Sequence, residues 1–229
     1  MLIDHWPLAG LRLRTPRLEL RLPDDEELAG LAELAAAGVH PPAEMPFVTP
    51  WTDQPPEKLR PATIQYHWGA RAALTPERWE LHLGVFEDGR LVGTQSLMAN
   101  DFAVLRETNS GSWLGLAHQG RGIGTEMRAA VLELAFAGLG AEQAISAAMA
   151  DNAGSLRVSA KLGYQDDGIA RLVVRGRAVT ERRLRLTRDR WLAHRRTPVE
   201  ISGLEPCLAL LGADGRPAGA AASAGSDAG

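Results

Sequence analysis

With 229 residues, 45% of them hydrophobic, the chain can fill one sizeable core, and we expect one large domain with appendages. A formal charge of -3 and a pI near 6.1 leave no excess of positive charge for a polyanionic backbone, which argues against nucleic acid as the main partner. Cys207 is the only cysteine, no run of about 18 apolar residues occurs, and Met1-Leu2-Ile3-Asp4-His5-Trp6 does not open a basic-then-apolar leader, so we expect a soluble cytoplasmic protein without membrane contact.

In chain order, Leu18, Leu20 and Leu22 alternate with Arg17, Glu19 and Arg21, the period of a half-buried strand that Pro23 stops. Asp24 then precedes three acidic residues suited to the positive end of a helix running to about Ala37, before Gly38. Six prolines between residues 40 and 56 predict a loop, with Phe47 and Trp51 as apolar anchors, and a second helix follows from about Glu57 to Ala73. Trp79, Leu81, Leu83 and Val85 alternate with Glu80, His82 and Gly84, and the turn Asp88-Gly89 joins this strand to another over Leu91–Met98. A polar loop, a short strand around Ser112–Leu116, a glycine loop and a helix from Thr125 to about Ala137 come next; Met127, Ala130, Val131 and Leu134 give that helix an apolar face. Gln143–Met149 reads as a strand, Asn152–Leu162 as a helix, and Ile169–Val174 and Val179–Leu186 as strands paired around Gly176. The whole is a mixed α/β (α+β) domain over residues 1–195. A short apolar extension, 196–211, and a Gly/Ala-rich tail, 212–229, follow; the tail is too poor in large apolar groups to offset its ordering entropy, so we expect it to be disordered.

The segment Gln119-Gly120-Arg121-Gly122-Ile123-Gly124 lies between a strand and an amphipathic helix. Such a position aims unpaired amides and the positive helix end at one point, and the glycines let a phosphate approach the backbone. A nucleotide P-loop would end in Gly-Lys-Ser or Gly-Lys-Thr, whereas Gly124 is followed by Thr125-Glu126. A dinucleotide fingerprint needs a glycine three residues after Gly122, where Thr125 stands.

The loop resembles the pyrophosphate-binding motif of the GCN5-related N-acetyltransferase (GNAT) family: Gln119, Gly122 and Gly124 fill its fixed places. Ser112-Trp113-Leu114-Gly115 before it, and Asp151-Asn152-Ala153-Gly154-Ser155 and Lys161-Leu162-Gly163-Tyr164 after it, are similar to the RimJ/RimL-like branch, over roughly residues 15 to 188. The resemblance implies a mostly antiparallel central sheet flanked by helices, and an acyl group moved from coenzyme A to a primary amine of a protein N-terminus, a lysine or a small molecule. Acetyl-CoA is the expected donor, with succinyl-CoA open, and no metal is expected. Cofactor contacts are implied for Trp113, Leu114, Gln119, Gly120, Arg121, Gly122, Ile123, Gly124, Thr125, Asn152 and Ser155. Trp113 and Leu114 would polarise the thioester through their backbone, since developing charge on oxygen needs donors aimed at it.

The family's usual acid, a tyrosine four residues before the glycine of Leu-Gly-Tyr, is replaced here by Ser159. Ser155 is the first substitute, with Asn152 and Leu114 completing the catalytic set; Ser155 and Asn152 also suit the start of a helix. Tyr164 reads as a core ring. For the base, Glu107, His118 and Asp101 are candidates. Phe47, Trp51 and Trp68 suit either an acceptor site or cover for the sheet. The arginines 171, 175, 177, 182, 183 and 185 make the late hairpin basic, as an attractor of acidic groups or as a solvated face. An acyl-CoA-binding sensor or assembly module without turnover is the alternative, and a drug-modifying acetyltransferase with an acidic acceptor cleft is a third reading. The extension around Leu204–Leu208 can pack on its own domain or in a homodimer.

Overall fold

The structure is a computed structural model that describes residues 1–215. A helical turn, α1 (Leu2–His5), leads into two short strands, β1 (Arg12–Arg14) and β2 (Leu18–Arg21). Helix α2 (Asp25–Ala37) begins where Asp24 dictates: its carboxylate accepts the Glu27 N–H at 2.8 Å while the Glu27 carboxylate accepts the Asp24 N–H at 2.9 Å. Leu28, Leu31, Ala32 and Ala35 recur at helical spacing and are buried. The proline-rich loop follows, and helix α3 (Pro56–Ala72) packs against α2 with a proline as its first residue, where a missing N–H costs nothing.

Strands β3 (Arg78–Glu87) and β4 (Arg90–Asn100) form a long hairpin whose turn residues Asp88 and Gly89 both have positive φ, 50° and 74°. Strand β3 departs from the expected half-buried strand because helices cover both of its faces: His82, expected on the polar side, is 5% exposed. The expected polar loop after β4 is instead a helical turn, α4 (Phe102–Leu105), and an eight-residue strand, β5 (Glu107–Leu114). Its first residues, Glu-Thr-Asn-Ser-Gly-Ser, have loop-like propensity, yet pairing with β4 overrides it. Residues 116–118 form a 3₁₀ turn and not the end of a strand.

Helix α5 (Ile123–Glu133) continues through a π turn, 134–138, and covers the face of the sheet opposite α2 and α3. Strand β6 (Gln143–Met149), helix α6 (Ala153–Lys161), the hairpin of β7 (Gln165–Val174) and β8 (Arg177–Thr187), helix α7 (Arg188–His194) and strand β9 (Glu200–Ser202) complete the chain. The nine strands lie in the order β7-β8-β6-β5-β4-β3-β2-β1-β9, antiparallel except for β5 and β6. This is the mixed, mostly antiparallel sheet that the resemblance implied.

The apolar extension packs on its own domain. Strand β9 pairs with β1, Cys207, Leu208 and Leu211 join the core, and the Trp79 indole N–H donates to the Leu211 carbonyl at 3.0 Å. Ala213, within the stretch expected to be disordered, is fully buried; residues 216–229 of that stretch lie outside the described residues. Among the described residues no helix is long and apolar enough to cross a membrane.

One irregularity of the sheet positions the site. Strands β5 and β6 pair only through Glu107–Asn109 and Gln143–Ile145, and beyond those residues they diverge into a wedge. Gly115 N–H donates to Val92 O across the β4–β5 pair at 3.1 Å, so by antiparallel alternation Trp113 and Gly111 bond to β4. The backbone groups of Ser110, Ser112 and Leu114 therefore point into the wedge.

Candidate active site

The glycine loop closes one end of the wedge. Gly120 and Gly122 have φ of 74° and 85°, and Gly122 is the N-cap of α5, so the loop turns where only glycine is unstrained. The Ile123 and Gly124 amides that open α5 precede its first hydrogen bond, which runs from the Thr125 N–H to Gly122 O at 3.1 Å, and as the first amides of a helix they have no acceptor within it. Glu126 anchors this end by accepting from Thr15 Oγ1 at 2.7 Å and Arg17 Nε at 2.7 Å.

A groove of about 600 Å3 runs from the loop along β5 to α6. It gathers Trp113, Leu114, Gln119, Gly120, Gly122, Gly124, Thr125, Asn152 and Ser155 of the sequence expectation, and adds Arg157 and Lys161 from α6. Arg121 and Ile123 do not line it. The Arg121 side chain is drawn away to Glu87 at 2.9 Å, and Ile123 is fully buried as a core residue. Gln119 Nε2 donates to Val39 O at 2.7 Å and Leu114 O at 2.9 Å, so its amide staples the loop to the strand. Asn152 Oδ1 accepts the Ser155 N–H at 3.0 Å, the N-cap role that the residue type allowed. The Trp113 backbone is committed to β4, and the wedge-facing donors on either side of it are the Leu114 N–H, which the resemblance implied, and the Ser112 N–H, which the sequence reading did not single out.

On the α3 side of the sheet lies a second cavity, of about 470 Å3, which meets the groove at Phe47, Gly111, Ser112 and Trp113. Its apolar wall is a run of aromatic rings: Phe47 and Trp51 are 5.2 Å apart between centroids, and Trp51 and Trp113 5.8 Å. Trp68 does not belong to it. Leu59, Ala62, Thr63, Tyr66 and His67 form the inward stripe of α3, whereas Trp68 is 48% exposed and donates from Nε1 to Asp25 Oδ1 at 2.9 Å.

The polar end of the cavity holds Tyr66, His67, His82 and Ser96. His82 contacts Ser96 Oγ through Nδ1 at 2.6 Å and Glu80 Oε2 through Nε2 at 3.1 Å. The Glu80 carboxyl is held below the usual range, chiefly by that hydrogen bond, so it accepts as a carboxylate and requires the proton of His82 on Nε2. Nδ1 is then the free acceptor. Burial, with His82 and Arg71 nearby, pushes the His67 imidazolium down to about 3, so His67 is neutral at ordinary pH. None of the expected bases is here. Glu107 sits at the far end of β5, 3.6 Å from Arg185; Asp101 is exposed at the end of β4; His118 lines neither cavity. The signal missed in the sequence is the pair Glu80 and His82 at i and i+2, which puts both on one strand face.

Ser159 Oγ is 2% exposed and accepts from Arg128 Nη1 at 3.0 Å, beneath the wedge. Tyr164 is buried as expected of a core ring, and burial pushes its phenol up. The late hairpin is less free than its composition implies: Arg175 pairs with Asp53, Arg182 with Asp166 and Arg185 with Asp167. Among the described residues no group of three His, Cys, Asp or Glu is placed to hold a metal.

A family model for the acetyltransferase (GNAT) domain matches residues 17–165. The chain belongs to the GNAT family. Among curated GNAT relatives, Probable N-acetyltransferase YjcK of Bacillus subtilis (strain 168) is 38% identical over 104 residues, 44% of this chain and 58% of that protein, so the match spans little more than half of the relative's length. Among solved structures, Mycobacterium smegmatis RimJ in complex with CoA-disulfide has a TM-score of 0.61 at 20% identity, covering 84% of this chain and 97% of that one. RimL, the ribosomal L7/L12 alpha-N-protein acetyltransferase, in complex with coenzyme A gives 0.61 at 15%, covering 76% and 95%. A GCN5-related N-acetyltransferase from Brucella melitensis gives 0.63 at 20%, covering 80% of each chain. These structural likenesses establish a shared GNAT fold.

Proposed function

We propose that this chain is an acyl-CoA-dependent N-acyltransferase acting on a primary amine, cytoplasmic, with the donor in the wedge groove and the acceptor in the aromatic cavity. The observation that carries the reading is the meeting of the two cavities at Ser112 and Trp113, with an anion-binding loop at the end of one and a hydrogen-bonded His82 in the other. The groove fits coenzyme A in its own terms: the open strand edge suits an amide-bearing arm, and the amides of Ile123 and Gly124, with Arg157 and Lys161 at the rim, suit phosphates. Bound there, acyl-CoA supplies an activated acyl carbon.

The chain's residues supply the rest. The aromatic wall of Phe47, Trp51 and Trp113 receives an amine with the atoms next to it and favours its cationic form on entry. Ser96 Oγ takes a proton from the amine as it passes its own to His82 Nδ1, while Glu80 holds Nε2–H and stabilises the imidazolium. This relay suits an α-amine, with pKa about 8, better than a lysine, with pKa about 10.4, because less work is needed to neutralise it. We therefore favour a peptide N-terminus or a small amine of similar pKa. The Ser112 N–H is the donor available to the charge that develops on the acyl oxygen.

His82→Ala is expected to lower kcat by roughly a hundredfold or more while leaving the thermal shift caused by acetyl-CoA in place. Rates of CoA thiol release with a panel of peptide and small amines check this; an undiminished rate removes His82 from the mechanism. Ser159, engaged by Arg128, keeps a second reading alive: a non-catalytic acyl-CoA sensor. Acyl-CoA binding without thiol release on any amine would select it.

A further inference from the structure

Arg128 is a cation in the wrong place for a structural residue. It projects from the middle of α5 towards the sheet, is 6% exposed, and among the described residues makes no ion pair: its contacts there are Ser159 Oγ at 3.0 Å from Nη1 and Ser112 Oγ at 3.5 Å from Nη2, and Nε has no hydrogen-bond partner. Around it stand further polar groups. Ser110 Oγ and Tyr164 Oη are buried and have only each other to pair with among the described residues, and Tyr164 faces Arg128. A desolvated charge with no counter-ion destabilises a fold, and an apolar residue of the same size would serve α5 better.

The geometry points to a buried anion site in the floor of the donor groove, made by Arg128 with the hydroxyls of Ser110 and Tyr164, that takes the terminal carboxylate of a short dicarboxylic acyl group. Three observations select that ligand class. Arg128 and Ser110 line the groove, so the site opens into the donor's space and not into the acceptor cavity. The guanidinium lies under Ser112, where the two cavities meet, so a chain of a few carbons starting there reaches it. The phosphates of the donor already have the loop amides, Arg157 and Lys161, all nearer solvent, whereas one buried cation beside the Ser110 and Tyr164 hydroxyls matches a single carboxylate.

The inference rests on the acyl-CoA reading above, and the test separates the two. Succinyl-CoA and butyryl-CoA carry four-carbon chains that differ in ending with a carboxylate or a methyl. We would measure kcat/KM with each and with acetyl-CoA, and the affinity of each ester by calorimetry, for the wild type, Arg128→Met and Tyr164→Phe. The wild type is expected to prefer succinyl-CoA over butyryl-CoA by about tenfold or more, as one charge-assisted hydrogen bond provides. Arg128→Met should reverse that ratio and Tyr164→Phe should reduce it. A wild-type ratio of one or below overturns the site. So does a ratio left intact in Arg128→Met while all three donors slow together, which would place the cation at the departing thiolate. Turnover of acetyl-CoA in either case leaves the acyltransferase reading standing; if none of the three esters binds, both fall. Because Arg128→Met removes an unpaired buried charge, the variant is expected to melt no lower than the wild type, so loss of fold does not cloud the ratio.

Discussion

His67 and His82 sit 5.3 Å apart between ring centroids on facing elements, and their surroundings divide the work between them. Glu80 and Ser96 hold His82 in one tautomer; His67 has no partner at Nδ1 and is kept neutral by burial. Neutrality has a cost that a pH titration reads. The unfolded histidine titrates near 6.5 and the folded one near 3, so between those values the unfolded chain holds one more proton. Stability therefore rises with pH across that window, and on acidification from 6.5 the native state loses about 1.4 kcal/mol per pH unit from this residue. Urea midpoints measured from pH 7 to pH 5 should fall more steeply for the wild type than for His67→Gln. Parallel curves would mean that His67 takes up its proton in the folded state.

At the scale of elements, the wedge between β5 and β6 and the start of α5 make the donor groove. Gly122 bears on both, since its φ of 85° closes the loop and its missing side chain leaves room in front of the first amides. Gly122→Glu imposes a left-handed conformation on a side-chain-bearing residue, costing about 1–2 kcal/mol, and points a carboxylate at an anion site. The wild type at about a hundred times the dissociation constant of acetyl-CoA should melt roughly 5–10 °C higher than without it, and the variant should lose that shift while staying folded. A retained shift would take the loop out of donor binding. The neighbouring element, β5, shows how context overrides propensity: its polar, glycine-containing start is a strand because β4 pairs with it along six residues. Its small hydroxyl residues face Arg128, and larger ones would fill the space the groove needs.

For the whole molecule, the ends of the chain close the sheet and the core. Strand β9 pairs with β1, and Cys207, Leu208, Leu211 and Ala213 fill space beside Trp79 and Leu8 that no earlier part of the chain covers. Ending the chain at Arg196 removes this layer. The burial lost is worth roughly 5 kcal/mol or more, comparable to the net stability of many domains. The truncated chain is expected to unfold without a cooperative transition, as circular dichroism during heating would show. A melt within a few degrees of the full chain would mean that the extension adds little to the core.

Periodicity and turn chemistry in the sequence determined most of the elements, because these signals are local: the Asp24 cap, the Asp88-Gly89 hairpin, the apolar face of α5, and a glycine loop between strand and helix. The loop's spacing, together with the segments Ser112–Gly115, Asp151–Ser155 and Lys161–Tyr164 around it, carried the resemblance to the family. What the tertiary structure alone decided is which side chains share a space. That His82 faces a cavity, with Glu80 hydrogen-bonded at its rear, and not solvent depends on α3, packed over a strand whose own pattern reads as half-exposed. That Trp68 turns away from the same cavity depends on a rotation of one residue along α3. Arg128 looks like an ordinary surface position in a helical sequence, and only the packing of α5 beneath the divergence of β5 and β6 leaves it buried without a counter-charge. Local sequence sets the conformation of each element; the burial of a group, and so its charge state and chemistry, is set by residues far away in the chain.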